Sequence, residues 1–250
     1  MTTMRKFLGV SLAAPLALAL AACNSEDTGD TALNSEPVAE TAAPAGTTWG
    51  ATATRTEQGG WLVGNPDAPI KLIEYGSLTC PACAAFSTEG SQPLHTQYID
   101  SGRVNYEFRS ILIHGVVDLL ITRMLECAPV SAAVPLADQV WANLDTVTGG
   151  FQANAPAAEQ AMTLPENQRF VALAQVGGLT GFFAARGVSS EQAQQCLSDS
   201  AAVEQLAEMT SAQADQDSVT STPTFFLNGQ RLDGTSWSAV ELALQNAGAR

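Results

Sequence analysis

Two cysteines separated by two residues constrain this sequence more than any other feature. Cys80 and Cys83 stand in the sequence Cys-Pro-Ala-Cys, directly after an apolar run at residues 70–75 and at the start of a helical pattern. The apolar run is typical of a strand buried in a sheet. Pro81 favours the first turn of a helix, where its missing N–H is not needed. Two cysteines in this setting can form a disulfide ring, ligate a metal or lie inert in a core.

The predicted position of Cys80 favours chemistry over packing. At the N-terminus of a helix, free backbone N–H groups and the positive end of the helix dipole stabilise a thiolate, which is the nucleophilic form of cysteine. Glu74 lies six residues earlier, inside the apolar strand, where a carboxylate is costly to bury. One interpretation is that Glu74 accepts the proton of Cys83. The other is that Glu74 lies at the end of the strand and reaches water.

The strand, the Cys-Pro-X-Cys helix start and the acid six residues upstream together resemble the thioredoxin superfamily, and most closely its DsbA-like branch. Further similar segments are residues 64–69, 83–86, 93–94, 98–104, 108–109, His114 and 222–229. The similarity runs from about residue 60 to residue 250 and is weakest between about residues 129 and 175. The resemblance implies an α/β protein: a thioredoxin fold with an inserted α-helical subdomain, expected here at about residues 115–210. It also implies a thiol–disulfide oxidoreductase that needs no cofactor and no metal.

Thr222 and Pro223 resemble the proline loop of this family, in which the bond before proline is cis and the loop lies against the cysteine pair. The resemblance implies that the Thr222 backbone binds an extended substrate segment as an added strand. By base rates alone, a trans proline in an edge loop is the commoner arrangement. Asn228-Gly229, a few residues later, predicts a two-residue hairpin.

Cys127 and Cys196 both fall within the predicted helical insertion. Some bacterial members of the family carry a second disulfide there, and these positions resemble it. Two buried free thiols are an alternative, because cysteine often packs as a small hydrophobe. A zinc site of four cysteines is disfavoured because the sequence lacks a second Cys-x-x-Cys. His95 and His114 are too few and too scattered to indicate a metal site, and we interpret both as structural.

The N-terminal residues predict export. Arg5 and Lys6 precede an apolar segment at residues 7–22 that is too short for a typical membrane span. Leu-Ala-Ala before Cys23 resembles a bacterial lipobox, which implies that residues 1–22 are a lipoprotein signal peptide and that Cys23 is lipidated. The alternative is an ordinary signal peptide. Loss of Cys23 to a lipid leaves four cysteines, an even number. Residues 23–58 predict a flexible acidic linker, and residues 59–250 the domain.

The charge and the predicted export bound the partners. The chain has a formal net charge of −14, which argues against nucleic acid and anionic membrane surfaces. We expect a protein in the periplasm or cell envelope that is held on a membrane by its lipid anchor only, where disulfides persist. No dimerisation domain is recognised before residue 59, so a monomer is expected.

The resemblance implies that the protein exchanges disulfides with exported cysteine-containing proteins and is reoxidised by a DsbB-like membrane protein. Two departures weaken the similarity to strong oxidases: Ala82 replaces their histidine, and Thr222 stands where they often have valine. One alternative is therefore a reductase or isomerase that a membrane electron donor keeps reduced. A second is a non-catalytic lipoprotein that binds unfolded chains in the groove beside Pro223.

Overall fold

A six-stranded sheet with the order β1-β2-β4-β3-β5-β6 forms the centre of the domain. The structure is a computed structural model that describes residues 35–250. Only the β3–β4 pair is parallel among the strand pairs described. The strands are β1 (Ala53–Arg55), β2 (Trp61–Gly64), β3 (Ile70–Gly76), β4 (Val104–Ser110), β5 (Thr224–Leu227) and β6 (Gln230–Arg231). Strand β3 lies inside the sheet between β4 and β5, so its apolar run is buried as the sequence predicts.

Helix α1 (Pro81–Pro93) connects the parallel pair β3 and β4. Gly90 and Pro93 predict a kink rather than a straight helix, and the α-helix changes to a π-helix (Leu94–Ile99) directly after Pro93. Gly90 is needed for close packing, because a Cβ built there would lie 2.6 Å from Cε3 of Trp237. Trp237 begins the last helix, α10 (Trp237–Asn246), which Ser236 caps.

Eight helices, α2 to α9, stand between β4 and β5 and form the helical insertion. The α/β class and the inserted helical subdomain are therefore confirmed. Helices α4 and α5 fall where the resemblance is weakest and were not predicted individually. The eight are α2 (Val116–Glu126), α3 (Val130–Ala142), α4 (Leu144–Ala153), α5 (Ala155–Met162), α6 (Glu166–Val176), α7 (Leu179–Ala184), α8 (Ser190–Ser198) and α9 (Ser200–Gln216).

Cys127 and Cys196 are joined in a disulfide, with their Cα atoms 6.0 Å apart. Cys127 ends α2 and Cys196 lies in α8, so the bond connects two helices of the insertion. The two residues are 69 positions apart in sequence. A bridge over a loop of that size typically adds about 2–4 kcal/mol to stability, chiefly by restricting the unfolded chain.

The predicted flexible linker at residues 23–58 is wrong for its C-terminal part. The Trp49 side chain is buried, and its Nε1 donates a hydrogen bond to the Thr41 carbonyl at 2.6 Å. The Val38 amide donates to the Gly248 carbonyl, and β1 pairs with β2. The sequence does not reveal these contacts, because they are made by one aromatic side chain and by backbone hydrogen bonds rather than by a periodic apolar face. The folded domain therefore begins well before residue 59.

The predicted signal peptide at residues 1–22 and the lipidation site Cys23 lie outside the described residues, so both stay predictions. Within residues 35–250, no helix is long and apolar enough to cross a membrane.

Candidate active site

Cys80 is the N-cap residue of α1, and Pro81 takes the first helical position. Both follow directly from the local sequence, because proline ends the extended run after β3 and starts the helix. Cys80 is 8% exposed, whereas Cys83, one turn further along α1, has no exposed surface. The two are free thiols in this structure. Of the pair, Cys80 therefore keeps a small exposed surface and Cys83 keeps none.

The pKa values of the two thiols are shifted in opposite directions. The hydrogen bond from the Cys83 thiol lowers the pKa of Cys80 to about 5, and burial opposes this effect. Hydrogen bonds from the Thr222 side chain and from the backbone of Cys83 and Ala82 lower the Cys80 pKa further. The same thiol–thiolate hydrogen bond, followed by burial and the Glu74 charge, raises the pKa of Cys83 far above its ordinary value. Cys80 is therefore a thiolate at neutral pH, and Cys83 holds the proton.

The Thr222–Pro223 loop lies against the cysteine pair. The bond between the two residues is cis, and the thiol form of Cys80 donates a hydrogen bond to the Thr222 carbonyl at 3.4 Å. Strand β5, which follows this loop, pairs antiparallel with β3, and this pairing brings the loop to the end of the strand that leads to Cys80. The structure thus brings together Cys80, Cys83, Thr222 and Pro223.

Glu74 lies on β3 and has no exposed surface. The Tyr106 hydroxyl donates a hydrogen bond to Glu74 Oε2 at 2.6 Å, whereas Oε1 has no hydrogen-bond partner. Burial raises the pKa of Glu74 to about 8; the Tyr106 hydrogen bond lowers it, and the charges of Asp138 and Cys80 raise it. The interpretation of a strand-end glutamate that reaches water is therefore wrong. Glu74 is a buried carboxyl whose charge is felt by Cys83.

The turn before Cys80 is held by a buried carboxylate that sequence reasoning missed. Asp118 of α2 has no exposed surface and accepts hydrogen bonds from Ser77 Oγ, Thr79 Oγ1 and the Thr79 amide at 2.9–3.0 Å. The His114 amide also donates to Asp118, and the His114 ring contacts Thr79 Oγ1 at 2.6 Å. The only sequence signal is an acid within an otherwise apolar helix. Asp118 thereby fixes the backbone that presents Cys80.

An open groove of about 370 Å³ lies beside the start of α1. Its walls include Thr79, Pro81 and His114 on one side and Val117 and Phe151 of the helical insertion on the other. The insertion therefore forms one wall of the surface next to Cys80.

The chain matches the family model described as thioredoxin over residues 56–246. Among relatives, a putative protein-disulfide oxidoreductase of Rickettsia bellii is 23% identical over 77% of this chain and 66% of its own length. Disulfide bond formation protein D of Bacillus subtilis is 32% identical over 22% of this chain and 24% of its own length. The matches therefore span less than two thirds of these curated relatives.

The crystal structure of a protein-disulfide isomerase from Novosphingobium aromaticivorans is similar to this fold, with a TM-score of 0.68 and 27% identity. The match covers 76% of this chain and 97% of that one. Because the family model covers most of the described domain and the fold agrees with it, this chain belongs to the thioredoxin family.

Proposed function

We propose that this protein is a thiol–disulfide oxidoreductase that exchanges disulfides with exported cysteine-containing proteins through Cys80 and Cys83. The observation that carries the proposal is the unequal pair: an accessible thiolate at a helix N-terminus beside a shielded thiol. A thiolate is the attacking and leaving form in disulfide exchange. The names of the relatives, which describe disulfide formation and isomerisation, agree with this chemistry.

The reaction begins when a substrate thiolate attacks Cys80 Sγ of the oxidised pair. The Cys80–Cys83 bond breaks, a mixed disulfide forms at Cys80, and Cys83 leaves as a thiolate that takes a proton. A second substrate thiolate then attacks the substrate sulfur of the mixed disulfide, and Cys80 leaves as a thiolate. The substrate loses two electrons to form its disulfide, and the cysteine pair gains them. The low pKa of Cys80 makes it a good leaving group in this second step.

Glu74 supplies and takes the proton of Cys83 in this mechanism. A group with a pKa near the working pH is best suited to both tasks, and burial places the pKa of Glu74 at about 8. In the reverse direction, Glu74 accepts the Cys83 proton as Cys83 attacks the mixed disulfide. The Cys83 thiolate that results would otherwise be costly in this buried position.

Substrate binding uses the Thr222 backbone and the groove beside Pro81. An extended segment that carries the reacting cysteine would pair with the loop before β5. The groove next to His114 and Phe151 would take apolar side chains that flank this cysteine. These contacts are largely independent of substrate sequence, which suits an enzyme that acts on many exported proteins.

Location and partners follow from the N-terminal sequence and the family. We propose that Cys23 anchors the protein to a membrane facing the periplasm or cell envelope and that a DsbB-like membrane protein reoxidises the pair. Isomerisation is the second candidate function. Ala82 gives no side-chain donor beside Cys80, Thr222 stands where oxidases often have valine, and the solved structure at 27% identity is named as an isomerase.

A trapping experiment tests the proposal. Cys83→Ala removes the thiol that resolves mixed disulfides, so we expect this variant to accumulate covalent complexes with exported proteins through Cys80. Non-reducing gels and mass spectrometry of cells that make the variant measure this. The matched control is Cys80→Ser in the same background, which should trap nothing. If no complexes form and both variants still hold unfolded chains, the non-catalytic binding function replaces the proposed one.

A further inference from the structure

The Glu74 carboxyl borders a small cavity on the side of β3 that α1 and α3 cover. Oε1 of Glu74, the buried oxygen without a hydrogen-bond partner, belongs to a residue that lines this cavity. The cavity volume is about 10 Å³, which is close to the smallest space that holds one water molecule. A buried acid that changes its protonation in each reaction cycle needs a route to solvent, and this cavity is where such a route begins.

Asp138 of α3 lines the same cavity. Its two carboxylate oxygens accept hydrogen bonds from Ser87 Oγ at 2.7 Å and from Ser91 Oγ at 2.5 Å. The two serines are four residues apart on α1 and therefore share one helix face. His95, in the π-helix that follows α1, lines the cavity as well. A polar cluster from α1, the π-helix and α3 thus lines the cavity together with Glu74.

The same polar residues also contact solvent on the outer side of the cavity. Ser87, Ser91, His95 and Asp138 also line an open groove of about 450 Å³ between α1 and α3. On the other side of Glu74, the way out passes Cys83, which is fully buried, and Cys80, which a bound substrate covers. The groove between α1 and α3 is therefore the exit that stays open while a substrate is attached.

We propose that Asp138 and His95 carry the proton of Glu74 to and from solvent, through one water in the cavity and the groove between α1 and α3. The inference rests on the proposed function, because it assigns a path to the proton that disulfide exchange releases. When Cys83 resolves a mixed disulfide, its proton passes to Glu74, the new Cys80–Cys83 bond forms, and the substrate leaves as a thiolate. Glu74 is protonated at neutral pH, so before it can accept the Cys83 proton its own proton must pass through the water to Asp138, and Asp138 or His95 releases that proton to solvent. Peptide release therefore waits for this path.

The titratable groups along the path influence the pKa values of one another. Burial raises the pKa of Asp138, whereas the serine hydrogen bonds and the charge of His95 lower it. Burial lowers the pKa of His95, and Asp138 and Asp100 raise it. The other titratable groups that face the cavity or Glu74 are Tyr106, Cys80 and Cys83. Among the described residues, no Lys or Arg lines the cavity. No permanent positive charge there repels a proton that moves along the path.

The test measures the step that needs the path. Reduced protein is joined to a fluorescent peptide through a mixed disulfide at Cys80, and stopped-flow fluorescence follows peptide release as Cys83 resolves it. We expect Asp138→Asn, which has nearly the same shape, to slow release about tenfold at neutral pH, below the usual 10²–10⁴-fold effect of a complete acid–base group. Glu89→Gln removes an exposed acid from α1 and should leave the rate unchanged.

Two readouts separate a proton path from a merely structural role. Small bases such as acetate and imidazole, added at fixed pH, should restore the rate of Asp138→Ala in proportion to their concentration, because they enter through the open groove and accept the proton of Glu74. They should not accelerate the wild type. Val134→Ile, which adds a methylene beside the cavity while keeping Asp138, should slow release because it displaces the water.

The outcomes distinguish the two proposals. If the wild type releases the peptide and Asp138→Asn releases it at the same rate, or if the small bases restore nothing, the proton path is wrong and the proposed function stands. If Asp138 variants do not fold, an unchanged rate in both His95→Gln and Val134→Ile overturns the path. If the wild type itself releases no peptide, the proposed function fails.

Discussion

Replacing Glu74 by glutamine is expected to stabilise the reduced protein by about 5 kcal/mol at pH 9 and by almost nothing at pH 4. Burial raises the pKa of Glu74 from 4.5 to about 8, and each unit corresponds to about 1.4 kcal/mol. Below pH 4.5 the carboxyl is protonated in both the folded and the unfolded chain. As the pH rises to 8, the unfolded chain ionises Glu74 and the folded chain does not, so the wild type loses stability over that window.

Glutamine keeps an oxygen for the Tyr106 hydroxyl and removes the ionisation. Denaturant unfolding of the reduced wild type and variant at pH 4, 6 and 9 measures the difference. Glu89→Gln, on the exposed side of α1, serves as the control and should change stability by less than about 0.5 kcal/mol. A gain that is the same at all three pH values would contradict the burial argument. So would a loss of stability at pH 9.

The pKa of the Cys80 thiol is expected to be about 5, well below its ordinary value. The largest cause is the hydrogen bond from Cys83, so Cys83→Ala should raise the pKa of Cys80 towards its ordinary value. Thiolate absorbance near 240 nm in the reduced protein, with Cys80→Ser subtracted, follows this titration. A midpoint above pH 8 in the wild type would show that the helix start does not stabilise the thiolate.

The pKa of Cys80 also determines how the stability of the reduced cysteine pair depends on pH. Because the pKa of Cys80 is lowered in the folded protein, the thiolate stabilises the reduced fold above the unfolded pKa, and this stabilisation is lost as the pH falls through about 5. A more stable reduced form makes the disulfide more oxidising. Donation of a disulfide at neutral pH therefore draws on the Cys80 thiolate.

Much of the fold could be predicted because local chemistry determines it. Pro81 after Cys80 starts α1, the apolar run forms β3, and the capping box of Ser189 and Gln192 begins α8. The docking of residues 38–55 could not be predicted in the same way. It depends on Trp49 and on backbone pairing with residues distant in sequence, and neither leaves a periodic pattern.

The cysteine pair, Glu74 and the Thr222–Pro223 loop could be recognised because they form a motif with fixed spacing. Their supporting residues could not. Tyr106, Asp118 and Asp138 are polar side chains whose roles depend on distant partners. The hydrogen bonds from Tyr106 to Glu74, from Ser77 to Asp118 and from Ser87 to Asp138 join residues 32 to 51 positions apart. Only the tertiary structure shows that each faces the site. An acid at an inward position of a helix was the one available signal.

Direct transfer of a disulfide tests the central claim most directly. The oxidised protein is mixed at neutral pH with an excess of a peptide that contains two cysteines, the reaction is quenched with acid and alkylating agent, and mass spectrometry counts the products. We expect one peptide disulfide for each Cys80–Cys83 bond reduced, with Cys127–Cys196 intact. Cys80→Ser should produce none. An oxidised Cys80–Cys83 pair that stays intact while the peptide stays reduced would contradict the account.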